Sequence, residues 1–385
     1  MSVIAPVVIV SAIARITVPP APPAPPTPAY AVSAPPAAQF LVRWTMSPVM
    51  CASGQGGSVA RGERVTLAVD PLRALSWAGP SARRTVPLDF RIDASGRPLG
   101  ITRADAGYVA DAQDVMPALA ATRFAPGAVR ARCTVTFTGS ATPVAAAPLV
   151  DAMAYSMFPS APPQRAVWER ILPAGSTCFN PAPEVLNRAF PAFRLLPDQP
   201  GYMSWSMTRF DLDRAGRPVR LATVAGSGTA ALDRAALQAV AQSRFEPGVR
   251  TGCQYPYWKG AAVLPAPTPP EEAELRPAGS TCPHERDWDR TPVLQYPAAY
   301  RRRSIEGWAM IAYDVAPWGA TGNLKMLRAE PTAEFGDAAM AMLRGATLKP
   351  SGTGYIGCVE RVRYVIAKPG MAAPPAPDAP DIILH

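Results

Sequence analysis

The chain has 385 residues, 48% of them hydrophobic and 17% charged, with a net charge of +9 at neutral pH. That length exceeds what one core usually serves, so two to four domains are expected, with ample apolar material to bury. The positive excess is arginine, lysine standing only at Lys259, Lys325, Lys349 and Lys368, and the arginines are scattered apart from Arg301-Arg302-Arg303. A nucleic-acid partner needs a clustered basic stripe, so none is expected.

Residues 1–40 open with an apolar run from Val3 to Ile13, broken by Pro6 and ended by Arg15. It is too short to span a bilayer. It reads as a secretory signal with a cleavage site at Ala29-Tyr30-Ala31, or as the remnant of a shortened signal or anchor. Membrane anchoring stays open on this reading. Pro19 to Pro36 is a proline-rich spacer of extended polyproline type.

A first unit is placed at 41–145. Leu88, Phe90 and Ile92 alternate as in a strand, Gly96 turns the chain, and Pro117 interrupts the helical window. The cluster Gly54-Gln55-Gly56-Gly57 lacks the Lys-Ser/Thr of a phosphate loop. Residues 146–165, rich in Ala, Pro and Ser, read as a linker.

The second unit, 166–262, is the clearest. Phe210 and Leu212 lead into the turn Asp213-Arg214-Ala215-Gly216, and Val219 and Leu221 resume the two-residue period. Leu232, Ala235, Ala236, Ala239 and Val240 then fall at helical spacing, and Phe245-Glu246-Pro247 stops the helix before a last strand carrying Cys253. A proline-rich linker at 263–275 precedes a third unit, 276–368. There Ala309, Ile311, Tyr313 and Val315 alternate, and Gly322 is taken as the turn glycine. The tail, 369–385, is again proline-rich and reads as disordered.

The three units look like copies. Gly96-Arg97-Pro98 and Gly216-Arg217-Pro218 are identical, and Phe124-Ala125-Pro126, Phe245-Glu246-Pro247 and Leu348-Lys349-Pro350 occupy one slot. A cysteine precedes each copy and another closes it; Cys178 and Cys282 both end a Pro-Ala-Gly-Ser-Thr-Cys hexapeptide. Six cysteines alone allow fifteen pairings. One fold used three times should place its bridge identically, which selects Cys51–Cys133, Cys178–Cys253 and Cys282–Cys358.

The second unit's order of motifs resembles the C-terminal domain of the TonB energy-transducer family: alternating apolar residues, Asp213/Gly216, Ser227-Gly228, Leu232-Asp233-Arg234-Ala235-Ala236-Leu237 and Phe245-x-Pro247. In the third unit, Glu306-Gly307 opening an alternating strand and Tyr296-Pro297 upstream are similar to the same family. The resemblance implies an α+β fold of three tandem two-layer units, each a small antiparallel sheet with a packed helix. It implies a periplasmic, cell-envelope protein of a Gram-negative bacterium that binds extended peptides of outer-membrane receptors by strand addition. The family's anchor carries a histidine absent from residues 1–40, so a soluble or secreted relative is favoured over a motor-coupled transducer.

Strand addition requires an open sheet edge. The expected edges follow each Phe-x-Pro slot: Thr134–Phe137, Gln254–Trp258 and Val359–Ile366. The third is favoured for its length. The expected partner-binding residues are Val359, Glu360, Arg361, Val362, Arg363 and Tyr364, with Gln254, Tyr255 and Tyr257.

No enzyme, cofactor or metal is expected. His284 and His385 are the two histidines, and no Cys-x-x-Cys occurs. Asp211 and Asp213 bracket a turn, where such carboxylates usually satisfy backbone amides. Trp205, Trp258, Trp288, Trp308 and Trp318 read as packing residues or as a stacking surface. The alternative to a peptide-binding protein is a structural periplasmic scaffold of disulfide-locked units.

Overall fold

Alternating apolar residues build three antiparallel hairpins, each followed by a helix and a closing strand. The structure, a computed structural model, describes residues 39–52, 60–159, 165–179 and 181–366. The apolar run and spacer of 1–38, the Gly54–Gly57 cluster and the expected disordered tail lie outside the described residues.

In chain order the first sheet holds β1 (Phe40–Met46), β2 (Met50–Ala52), β3 (Thr85–Ile92) and β4 (Pro98–Arg103). Helix α1 (Val115–Ala121) and the long strand β5 (Arg130–Pro143) complete that unit. Helices α2 (Leu149–Met157) and α3 (Arg165–Ile171) follow. The second sheet is β6 (Ser204–Leu212), β7 (Pro218–Gly226) and β8 (Arg250–Lys259), with α4 (Ala230–Gln242) between its last two strands. Two short helices, α5 (Glu272–Leu275) and α6 (Ala298–Arg302), lead to the third sheet. That sheet is β9 (Gly307–Val315), β10 (Thr321–Glu330) and β11 (Tyr355–Tyr364), with α7 (Ala333–Arg344) before the last strand.

The pairings β4-β3-β5, β7-β6-β8 and β10-β9-β11 repeat one order, all antiparallel. The chain is thus α+β. Each turn glycine sits against the strand before the following Pro. Gly96, Gly216 and Gly319 have φ of 87°, 70° and 93°, and a Cβ on any of them would collide with the carbonyl of Phe124, Phe245 or Leu348. The third equivalent is therefore Gly319 and not Gly322. The turn bonds agree: Gly96 N to Asp93 O, Gly216 N to Asp213 O and Gly319 N to Ala316 O. In the first two turns the Asp carboxylate also accepts amides two and four residues on. Ala316 has no carboxylate, so the register was hidden in the sequence. Pro117 does not abolish the first helix; it lies in its first turn, where a missing amide costs nothing.

The disulfides are Cys51–Cys133, Cys178–Cys253 and Cys282–Cys358, closing 82, 75 and 76 residues, as the repeat requires.

The cores do not follow the units. Ile92, Ile101 and Met116 of the first unit share one buried cluster with Ile305, Phe335 and Leu343 of the third. Full burial of each such side chain stabilises by roughly 1.5–3 kcal/mol, so these two units form one body. The Ile101 amide bonds Pro331 O at 2.9 Å, and the Glu330 carboxylate accepts from the Gly100 amide and Arg91, both at 2.7 Å. The second unit keeps its own core beneath α4, built on Phe210, Leu212, Leu232 and Val240.

The described parts of the expected linkers are structured. Residues 149–157 form α2, whose Met153 and Tyr155 are buried with Trp205 and Met207 on the sheet face opposite α4. The 263–275 segment does the same in the third unit, where Ala266 and Leu275 cover Trp308, Met310 and Val359. Trp-x-Met at 205–207 and 308–310 thus faces a covering segment in both sheets.

Candidate docking edge

The last strand of the second and of the third unit begins at a clamp whose parts explain the repeated hexapeptide. Gly252 and Gly357 have φ of 70° and 68°, a bulge conformation that glycine adopts freely. A Cβ would meet Ser176 at 3.2 Å in one and Pro277 at 2.8 Å in the other. Ser176 Oγ donates to Gly252 O at 3.0 Å and Ser280 Oγ to Gly357 O at 2.9 Å. Thr177 N reaches Thr251 O, and Thr281 N reaches Ile356 O. From the other side Asp211 Oδ1 accepts the Gly252 amide at 2.6 Å, and Asp314 Oδ1 accepts that of Gly357 at 2.8 Å. Burial would raise the Asp211 pKa, but the Gly252 amide and Arg220 outweigh it and hold the carboxyl below its usual value. Asp211 and Asp213 are therefore both engaged in holding the hairpin.

Beyond the clamp the three last strands differ in what lies on their second edge. In the first unit β1 and β2 pair antiparallel with β5, from Phe40↔Pro143 to Cys51↔Cys133. Thr134–Phe137, expected as an edge, is an interior strand. In the third unit Arg286 donates to Val359 O and pairs with Glu360 and Glu272. Burial lowers the Arg286 pKa, yet Glu360, Tyr313 and Glu272 together raise it, so the guanidinium stays charged. Val359, Glu360, Arg361, Val362 and Tyr364 are buried, Arg363 is half-buried, and Arg361 reaches Glu271 beside α5.

In the second unit, among the described residues, no strand or backbone bond occupies the second edge of β8 from Gln254 to Trp258. Pro256 sits in that stretch, and a proline is tolerated in a strand where its missing amide faces outward. Gln254 and Trp258 then supply the outward amides. Trp258 is 53% exposed on one face and Phe190 64% exposed on the other, edge-on to Tyr257. The Tyr255 ring carries the Arg188 guanidinium at 4.3 Å, and Tyr257 Oη donates to Ala189 O. Burial, then Tyr255, pushes the Tyr257 hydroxyl pKa up.

The tryptophans are not gathered. Trp205 and Trp308 are buried under α2 and the 263–275 segment, Trp318 stands exposed at the third hairpin, and Trp288 pairs beside Leu348. His284 is exposed, and among the described residues no cluster of acidic, His and Cys side chains could hold a metal. Sequence reading missed Arg286, Glu330 and β1, whose roles come from other units and leave no local pattern. No helix among the described residues is long and apolar enough to cross a membrane.

Disulfide-clamped sheet-and-helix units, one of them ending on a strand whose second edge has no backbone partner among the described residues, define a multi-unit α+β protein with an accessible sheet edge. Residues 204–259 and 292–365 match the family model of the Gram-negative bacterial TonB protein C-terminal. The two segments span the second sheet with α4 and the third with α6 and α7, so the resemblance read from their motifs holds for both. No curated protein matches the chain.

Proposed function

We propose that this is a cell-envelope protein of a Gram-negative bacterium in which three copies of the TonB-type unit are joined. Its second unit binds extended segments of outer-membrane transport partners by strand addition. The common strand order, the shared turn glycines and the three bridges at one register support the count of three. The observation that carries the binding reading is the difference between edges. β5 is paired and Arg286 bonds Val359 O of β11, whereas Gln254–Trp258 of β8 has no partner on its second edge among the described residues and is flanked by exposed aromatics. Main-chain bonds there give affinity and the flanking rings give selectivity.

Val359–Tyr364 is the secondary docking segment on this reading, reached only after Arg286 and the 271–275 segment move. The experiment is calorimetric titration of the chain with extended peptides from the plug segments of outer-membrane receptors. Binding that disappears in Gln254→Pro/Trp258→Pro, with all three disulfides and the melting temperature retained, supports the reading. Undiminished binding in that variant contradicts it.

A second reading, a structural scaffold, is favoured by the core shared between the first and third units and by the covered sheet faces. It expects no peptide binding at any edge.

A further inference from the structure

We infer that the cleft between the first and third sheets binds a phosphate group, held by Arg91, Arg132 and Arg328. The site is separate from the β8 edge.

Register shows it to be an altered copy of the clamp. Phe90, Phe210 and Tyr313 stand opposite Cys133, Cys253 and Cys358, so Arg91 occupies the place of Asp211 and Asp314. Arg132, which precedes Cys133, occupies the place of Gly252 and Gly357. Gly100 occupies that of Arg220 and Asn323, and all three have positive φ, 60°, 53° and 52°. In the second and third units the aspartate accepts the glycine amide on one side. On the other it accepts Arg220 Nε at 2.6 Å or Asn323 Nδ2 at 2.8 Å. Those clamps are closed. The first unit reverses the charge, with two arginines in place of an aspartate and a glycine. Its carboxylate comes from β10 instead, where Glu330 takes the Gly100 amide and Arg91 Nη2.

The reversal leaves a cleft. A cavity of about 780 Å³ opens there, walled by Asp89, Arg91, Gly100, Arg132, Arg328 and Glu330. Arg91 Nη1 is buried with no hydrogen-bond partner among the described residues, and a Cβ on Gly100 would stand 3.6 Å from it. Glycine thus keeps the space beside that donor free. An unmet buried donor is costly, and an acceptor from a ligand relieves it. Arg328 is half-exposed and reaches Glu330 at 3.5 Å, and Arg132 is exposed with no ion-pair partner among the described residues.

Charge selects the occupant. Glu330 shows how little a carboxylate needs here, since one amide and the flanking guanidiniums already satisfy it. Three guanidiniums from three strands, β3, β5 and β10, suit a group with more acceptor oxygens, and the guanidinium fork matches phosphate. Asp89 in the same wall disfavours a polyanion and suits a single phosphate.

The test is calorimetric titration of the full chain at low salt with inorganic phosphate, with acetate as the carboxylate control. Arg132→Gln should weaken phosphate binding roughly tenfold, the order expected for one charge-assisted hydrogen bond. Arg328→Gln should do the same, and Arg214→Gln in the second hairpin should change nothing. Because Arg132 is exposed, its variant should keep the three disulfides and the melting temperature of the parent. Vesicles of phosphatidylcholine with one-fifth phosphatidic acid, whose phosphate is a terminal monoester, are set against vesicles with one-fifth phosphatidylglycerol. A preference for phosphatidic acid that needs Arg132 and is displaced by free phosphate assigns a lipid headgroup as the source. Binding of free phosphate without that preference assigns a soluble phosphate. Binding of neither overturns the inference, as do acetate binding equal to that of phosphate and undiminished phosphate binding in Arg132→Gln and Arg328→Gln.

Discussion

Arg303 and Asp114, 189 residues apart in the chain, form a buried ion pair, Nε to Oδ1 at 2.8 Å. The same guanidinium bonds Asp70 O of the first unit and Gly201 O at the start of the second. The Asp114 carboxylate in turn accepts the Leu72 amide at 2.7 Å. Arg303 thus joins all three units at one point. Removing one partner of a buried pair typically costs about 3–5 kcal/mol. Arg303→Met should therefore lower stability by that order in urea unfolding and loosen the contact at Gly201. A variant as stable as the parent would show that the pair does not hold the units together.

Two buried hydroxyls weaken the second unit. Ser206 and Thr208 face α4 and have no hydrogen-bond partner among the described residues, where the third unit has Ala309 and Ile311 at the equivalent places. An unsatisfied buried polar group costs about 1–3 kcal/mol. Thr208→Val, which keeps the shape, should raise stability by about 1 kcal/mol or more, read from the urea midpoint. A loss instead would mean that Oγ1 has a partner such as a bound water.

Two carboxyls give opposite pH dependence. The Asp211 pKa is lowered in the folded protein, so its stabilisation is full above the unfolded value of 3.8 and is lost as pH falls through the lower folded value. Glu334 is raised, chiefly by burial, with the Tyr300 hydroxyl donating to it. The unfolded chain then loses its proton first, so stability falls as pH climbs from the unfolded value of 4.5 through the higher folded one. Asp211→Asn should flatten the acid limb of the stability curve, and Glu334→Gln the decline above pH 4.5. Curves parallel to the parent's would contradict each assignment.

The bridges give a fourth handle. Closing a loop of 75–82 residues stabilises by roughly 4 kcal/mol in the chain-entropy account. Cys178→Ala/Cys253→Ala should destabilise the second unit, whose core beneath α4 is separate, while the core shared by the other two still melts near its original temperature. Uniform loss across all three units would mean that the cores are not separable.

How much of this was legible in the sequence depends on how local each signal is. The hairpins, α4 and the cysteine pairs were readable because alternation, helical spacing and repetition lie within a few tens of residues. The turn at Gly319 leaves no such mark, because Ala316 stands where the other two turns have Asp. The 149–157 helix reads as linker because Pro148, Pro159, Pro162 and Pro163 flank it among alanines and serines; only packing against Trp205 and Met207 shows its role. Which edge is open depends on β1, Arg286 and Pro256 together, and strand neighbours distant in the chain leave no periodic trace.

The account turns on the edge of β8, and chemical-shift mapping of the labelled chain during titration with a receptor-derived extended peptide tests it most directly. The expected result is perturbation confined to Gln254–Trp258, Phe190 and their β6 neighbours, with β5 and β11 unmoved. Perturbation centred on Val359–Tyr364, or none at saturating peptide, would contradict it.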